Sequence, residues 1–291
     1  MKKKKLIIIG ILILIIIAIV VSLIIYFSNR AKYVFDVEYV SNIEYNTVEV
    51  DNKYGVIDRK GNIVIEPTYN VIQIPNPSKP VFICMSNYNT ETKEYETKVL
   101  NDRKEQVITG YSNIQAIPAN STADNIPFEN TVLRYKKNDK YGLISLDGKE
   151  ITDAIYDEIS SVTYKEGMLL VKQDGKYGVI NINGKVVIKP EYDNITVDNY
   201  YDVNTEYQRT GFIVCTIKDE GYRYGYVDYR GKKILDTIYT EVERVTDLED
   251  EKDIYIVAYK DGQAGLLKNK KLILDYEYED IIYYAYNDVF I

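Results

Sequence analysis

The residues of this 291-residue chain that could do chemistry are conspicuous by type: thirty tyrosines, 44 acids, two cysteines and no histidine. Without histidine the commonest general base, the commonest metal ligand and every Ser-His or Cys-His nucleophile are missing. Any catalysis falls to carboxylates, Lys or Tyr, and carboxylate pairs drawn from different parts of the chain would suit glycoside hydrolysis. No spacing singles out such a pair, so no catalytic, cofactor or metal residue is assigned. "TDLEDEKD" (246–253) bunches five acids but lacks the EF-hand glycine and closing glutamate, and reads as a solvated acidic loop. Tyr200, Tyr201 and Tyr207 cluster in the polar insertion "VDNYYDVNTEYQRT" and form the candidate ligand-binding loop, since exposed rings stack on glycans and peptides. The competing reading is that they fill positions on a solvated sheet, as their β-propensity favours.

Charge narrows the partners. Five of the 36 basic residues precede position 31 and no acid does, so the remainder is more acidic than the overall net charge of −8. Such a surface repels phosphate backbones, and nucleic acid is not expected as a partner. Cys84 ("VFICMS") and Cys215 ("FIVCTI") occupy similar places in two apolar runs and read as buried hydrophobes.

Residues 1–5, "MKKKK", are a basic tail. Leu6–Phe27 follows without a charge, and as a helix at 1.5 Å per residue it would span about 33 Å, against roughly 30 Å of bilayer hydrocarbon. This is longer than a signal peptide's apolar region, and no small-residue cleavage pattern follows. Residues 6–27 are therefore expected to be one transmembrane signal anchor in contact with the lipid bilayer. Four lysines on one flank against Arg30 and Lys32 on the other place the N-terminus in the cytoplasm and the rest outside the cell membrane. Richness in Ile, Lys, Asn and Tyr suggests a bacterial source.

Beyond a linker and first extended strand (28–45), the elements that would position any site are repeats. "KYGVIDRKGNIVIEPTYNVI" from Lys53 is echoed by "KYGLISLDGKEITDAIYDEI" from Lys140, "KYGVININGKVVIKPEYDNI" from Lys176 and "RYGYVDYRGKKILDTIYTEV" from Arg223. Degenerate copies begin at Lys98 and Gln263. Repeat cores lie near 53–72, 98–114, 140–159, 176–195, 223–242 and 263–281. Each ends in Tyr-x-x-Ile/Val, at Tyr69, Tyr111, Tyr156, Tyr192, Tyr239 and Tyr278, spaced 36 to 47 residues apart. A sustained period near forty residues marks a repeat architecture.

Each unit reads as a three-stranded antiparallel meander with a short fourth segment at Tyr-x-x-Ile. Asp174-Gly175 and Asn183-Gly184 are expected as type I′ hairpin turns. Middle strands such as Val179-Ile180 carry apolar side chains on both faces, so sheet must cover sheet. The expected fold over residues 46–291 is all-β, a six-unit antiparallel repeat array forming a β-propeller, with an open curved stack as the alternative. The glycine after Tyr is expected to leave room for a neighbouring ring. The terminal "DVFI" and the "YVFDVEYVSNI" run from Tyr33 are expected to lie in neighbouring or shared sheets, closing the ring.

These units resemble the WG-repeat (KWG repeat) family, whose copy opens with Trp-Gly, continues through an apolar strand and a glycine turn, and ends in P-x-Y-D-x-I. Here Tyr stands in place of Trp. The resemblance spans about residues 46 to 282 and implies a β-rich bacterial module, often surface-associated, with no established activity or cofactor. The expected function is a membrane-anchored, extracytoplasmic, non-catalytic binding or scaffold module for a protein, peptide or envelope glycan. The alternative is a carboxylate-dependent hydrolase of envelope glycans.

Overall fold

A computed structural model describes residues 43–111, 113–118, 128–163, 167–202, 207–245, 254–284 and 289–291. All belong to the second of the chain's two units, Glu38–Ile291. The expected anchor, 6–27, and the run from Tyr33 lie outside the described residues. Among these residues there are strands and turns but no helix.

The strands fall into seven antiparallel sheets in chain order. The first holds β1 (Tyr45–Val50), β2 (Lys53–Asp58) and β3 (Ile63–Tyr69). The second is β4 (Val71–Gln73), β5 (Phe82–Asn89), β6 (Glu94–Leu100) and β7 (Gln106–Ile108). The third is β8 (Ile114–Pro118), β9 (Phe128–Lys137) and β10 (Lys140–Ser145), extended by a bridge between Tyr141 and Tyr156. Three four-stranded sheets follow. The fourth is β11 (Glu158–Thr163), β12 (Met168–Gln173), β13 (Lys176–Asn181) and β14 (Val186–Tyr192). The fifth is β15 (Asn194–Asp202), β16 (Tyr207–Lys218), β17 (Gly221–Val227) and β18 (Lys233–Tyr239). The sixth is β19 (Glu241–Arg244), β20 (Tyr255–Lys260), β21 (Gln263–Lys268) and β22 (Lys271–Tyr278). A short hairpin, β23 (Tyr283–Tyr284) with β24 (Val289–Phe290), ends the chain.

The Tyr-x-x-Ile ending is therefore a boundary. Tyr192 closes β14, and Ile195, three residues on, lies in β15 of the next sheet. The fourth segment expected to complete the meander instead opens its neighbour, because a single residue, Asp193, separates β14 from β15. Of the terminal "DVFI", residues 289–291 are described and close a hairpin, whereas the run from Tyr33 expected beside it lies outside the described residues. Val289 and Phe290 pair with Tyr284 and Tyr283, and Phe290 packs at 5.1 Å from the Tyr283 ring and 5.9 Å from Tyr255. Its pairing partner is thus the adjacent β23, and its rings cover the sixth sheet.

Period two explains the core. On β12, Met168 enters the cluster shared with the fifth sheet, whereas Leu169 enters the one shared with the third. On β13, Val179 and Ile180 divide the same way, and on β21 Leu267 faces the fifth sheet while Leu266 faces β23 and β24. Successive strand residues point to opposite faces, so two-sided apolar strands serve two interfaces at once. Each of the six core clusters joins consecutive sheets.

The joints follow local chemistry. At the first joint Asp51-Asn52, Asn138-Asp139, Asp174-Gly175 and Asp261-Gly262 all have both residues at positive φ, the type I′ geometry. The second joint departs from expectation. Gly184 has positive φ but Asn183 does not, and Gly184 N–H donates to the Asn181 carbonyl at 2.8 Å. This longer turn is capped by its first residue. The Asn181 side chain accepts from the N–H groups of Asn183 and Lys185, as Asp58 does from Lys60 and Asn62, and Asp228 from Arg230 and Lys232. Even the degenerate second copy keeps the device, with Asn101 accepting from Arg103 and Glu105. A side chain that satisfies its own turn needs no other role.

The glycine after Tyr has two uses. A Cβ on Gly142 would lie 2.6 Å from the Tyr135 ring, as expected, and one on Gly265, which follows Ala264 in the last copy, 2.7 Å from Tyr276. At Gly55, Gly178 and Gly225 the neighbour is backbone. Tyr177 pairs with Tyr192 and Val179 with Ile188, so three residues of β14 bulge opposite Gly178, and its Cβ would meet Pro190 N at 2.6 Å.

Candidate binding cleft

An open polar cleft of about 570 Å³ lies where the second and third sheets meet. Its walls come from four places: Glu94 at the start of β6, the β7–β8 link including Tyr111 and Asn113, the β9–β10 turn, and Glu150. Tyr111 ends its repeat copy, and its ring lies 4.9 Å from that of Tyr135. Tyr135 is fixed in turn by Gly142 beneath it and by donating its hydroxyl to the Thr152 carbonyl at 3.0 Å. Thus a glycine two elements away aims Tyr111.

The Tyr111 hydroxyl donates to Glu150 Oε1 at 2.5 Å, which pushes its pKa up to about 12 and keeps it a neutral donor. Lys136 Nζ lies 2.6 Å from Glu94 and 3.1 Å from Asp139. Hydrogen bonds to Glu94 and then Asp139 raise its pKa, so it stays charged. Asn113 is held through its carbonyl, which accepts from Lys136 N–H at 3.0 Å. The residue is only 4% exposed, and its buried Oδ1 has no hydrogen-bond partner. Such an atom costs roughly 1–3 kcal/mol until a donor reaches it. A second groove, of about 650 Å³, shares Glu94 and follows the β5–β6 hairpin, where the rings of Tyr88 and Tyr95 lie 4.8 Å apart.

The sequence-derived candidates sit elsewhere. Tyr200 and Tyr201 are on β15 and Tyr207 on β16, in a long hairpin whose register pairs Tyr200 with Arg209, Tyr201 with Gln208 and Asp202 with Tyr207. The insertion around them is therefore extended ladder where a loop was expected, because its β-propensity lets the hairpin grow past the repeat length. Their side chains, like residues 246–253, lie outside the described residues. Among the described residues no group of three or more His, Cys, Asp or Glu could hold a metal ion. Cys84 and Cys215 are free and buried, on the second strands of the second and fifth sheets, and burial pushes the Cys84 thiol up to about 12.

Other polar groups bind the array together. Lys140 pairs with Asp157 at 2.5 Å and Lys176 with Asp193 at 2.6 Å, joining the K-Y-G opening to the Y-D ending of the same copy. Between sheets five and six, Asp198 Oδ2 accepts from Tyr226 and Arg244, each at 2.7 Å. Glu94, Asn113, Lys136 and Glu150 were not singled out from sequence. Their one signal is that the second copy has lost its Tyr-Gly opening and carries polar text, "TGYSN", at its ending.

The architecture defines a repeat protein of sheets stacked face to face. Residues 54–74, 141–177 and 177–203 match the WG containing repeat. These three stretches of the chain are thus similar to the WG-type repeat. No curated protein matches it. Similar solved structures include a crystal structure of the eukaryotic initiation factor, 10% identical over 86% of this chain and 67% of that one, TM-score 0.37. Hsv2 of Kluyveromyces lactis is 12% identical over 78% and 74%, TM-score 0.31. A protein of unknown function from Bacteroides caccae is 11% identical over 80% and 93%, TM-score 0.25.

Proposed function

We propose that the chain is a non-catalytic binding or scaffold module, its repeat sheets arranged as the blades of a β-propeller and displayed outside a bacterial cytoplasmic membrane by an uncleaved helix over residues 6–27. The observation that carries this reading is the use of the recurrent polar groups. The turn-capping Asp58, Asn181 and Asp228 and the Lys176–Asp193 pair maintain the array. What differs between copies, the cleft and the long β15–β16 hairpin, is left to contact a protein, peptide or envelope glycan, as is usual for loops on a rigid scaffold.

The test uses full-length protein in bacterial cells. It should stay with the membrane after a carbonate wash, and protease added outside spheroplasts should remove the repeat domain. Residues 31–291 alone should be soluble with a β-type circular dichroism spectrum. A repeat domain shielded from external protease, or a helical or unfolded fragment, would contradict the proposal. So would turnover of envelope glycans by the purified chain.

A further inference from the structure

The geometry points to the cleft between the second and third sheets as a binding site for an uncharged saccharide, an inference that rests on the binding-module reading. Four features choose the ligand class. The volume, about 570 Å³, falls inside the roughly 300–1,000 Å³ of small-molecule sites. The walls offer hydrogen-bond groups of both kinds: carboxylate acceptors at Glu94 and Glu150, and donors at Lys136 and Lys137. A sugar hydroxyl donates and accepts at once, and so matches such a lining where a purely accepting or purely donating ligand does not. Charge is near balance, and Lys136 is already held by Glu94 and Asp139. A phosphate or carboxylate ligand would have to displace two acids to reach it.

The fourth feature is Asn113. Its buried Oδ1 is an acceptor without a donor, on a residue that lines the cleft. A hydroxyl entering there supplies the missing hydrogen once the amide turns toward it. Tyr111, locked against Tyr135 and tied to Glu150, provides an aromatic wall for the apolar face of a pyranose. Glu150 has an exposed side chain, so it can hold the tyrosine and accept from a ligand on its remaining oxygen.

The experiment is calorimetric titration of the full-length protein in detergent with neutral probes, β-1,4-linked tetramers of glucose and of N-acetylglucosamine. Inorganic phosphate and a tetraglutamate peptide serve as charged probes. At least one tetramer should bind, Glu150→Ala should weaken it about tenfold with an unchanged circular dichroism spectrum, and Glu150→Gln should weaken it less. Tyr222→Ala, at a 62% exposed position on the fifth sheet, should leave binding unchanged. The inference is overturned if neither tetramer binds, if Glu150→Ala leaves the affinity unchanged, or if only a charged probe binds. The protease experiment above decides the binding-module reading separately, so an externally displayed domain that ignores both sugars would sink the cleft assignment alone.

Discussion

Alanine in place of Tyr226 is expected to lower the stability of the repeat domain by about 3 to 5 kcal/mol, the range for truncating a fully buried aromatic side chain. Tyr226 is 2% exposed on β17 and sits in the cluster that joins the fifth and sixth sheets. Its hydroxyl meets Asp198 of β15, which also receives Arg244 of β19, so one carboxylate ties three strands across two sheets. The ring fits because β16 carries Gly211 opposite Asp198, where any Cβ would fall on the Tyr226 hydroxyl. Tyr226→Phe separates the contributions. It keeps the ring volume and removes one charge-assisted hydrogen bond, an expected loss of about 2 kcal/mol. Urea unfolding followed by circular dichroism measures both, and an alanine variant within about 1 kcal/mol of the parent would mean that this interface is not packed as described.

Gly178→Val is expected to cost about 3 kcal/mol, at the upper end for forcing extra atoms into a packed interior. The added Cβ would stand 2.6 Å from Pro190 N and 2.7 Å from the Ile188 carbonyl oxygen. Both are backbone atoms of the β14 bulge, which cannot swing aside as a side chain would. Gly178→Ala should also be costly, although alanine is ordinarily no worse in a strand. Gly175 is the informative contrast: nothing lies within 4 Å of its Cβ position, but its φ is +79°, so alanine there should cost only about 1 kcal/mol of backbone strain. Equal losses at the two positions in thermal unfolding would contradict the bulge as the reason for the glycine.

These two sites show what the sequence could and could not reveal. Asp174-Gly175 announced its turn because positive φ at both positions restricts the residue types that can occupy them. The pairs Val179-Ile180 and Leu266-Leu267 announced two-sided burial because period two leaves no alternative for adjacent apolar residues in a strand. The bulge opposite Gly178 was not legible, since Lys189, Pro190 and Glu191 look like the continuation of a strand, and only the partner's register shows three residues facing one. Nor was the boundary role of Tyr-x-x-Ile, because the side chains that fill a sheet and those that begin the next are the same types. The cleft was hidden for a further reason. Glu94, Tyr111, Lys136 and Glu150 are drawn together from two repeat copies, and no local pattern encodes a meeting that depends on how two sheets stack. Tyr177 is half-buried, with Lys172 Nζ 5.0 Å above it. The deeper rings are Tyr135 and Tyr226, whose neighbours carry the accommodating Gly142 and Gly211.

We propose that the stacked sheets form one propeller whose first and last members meet. Pulsed electron spin resonance on the full-length chain, with labels at Glu49 of β1 and Tyr284 of β23, measures this most directly. Both positions are exposed, and the native cysteines are buried away from the labelling reagent. Sheets stack about 10 Å apart, so adjacent terminal sheets should give a distance below about 30 Å, whereas an open stack with six intervening interfaces should give roughly 60 Å. A single narrow distribution under 30 Å is the predicted result, and one centred near 60 Å would contradict it.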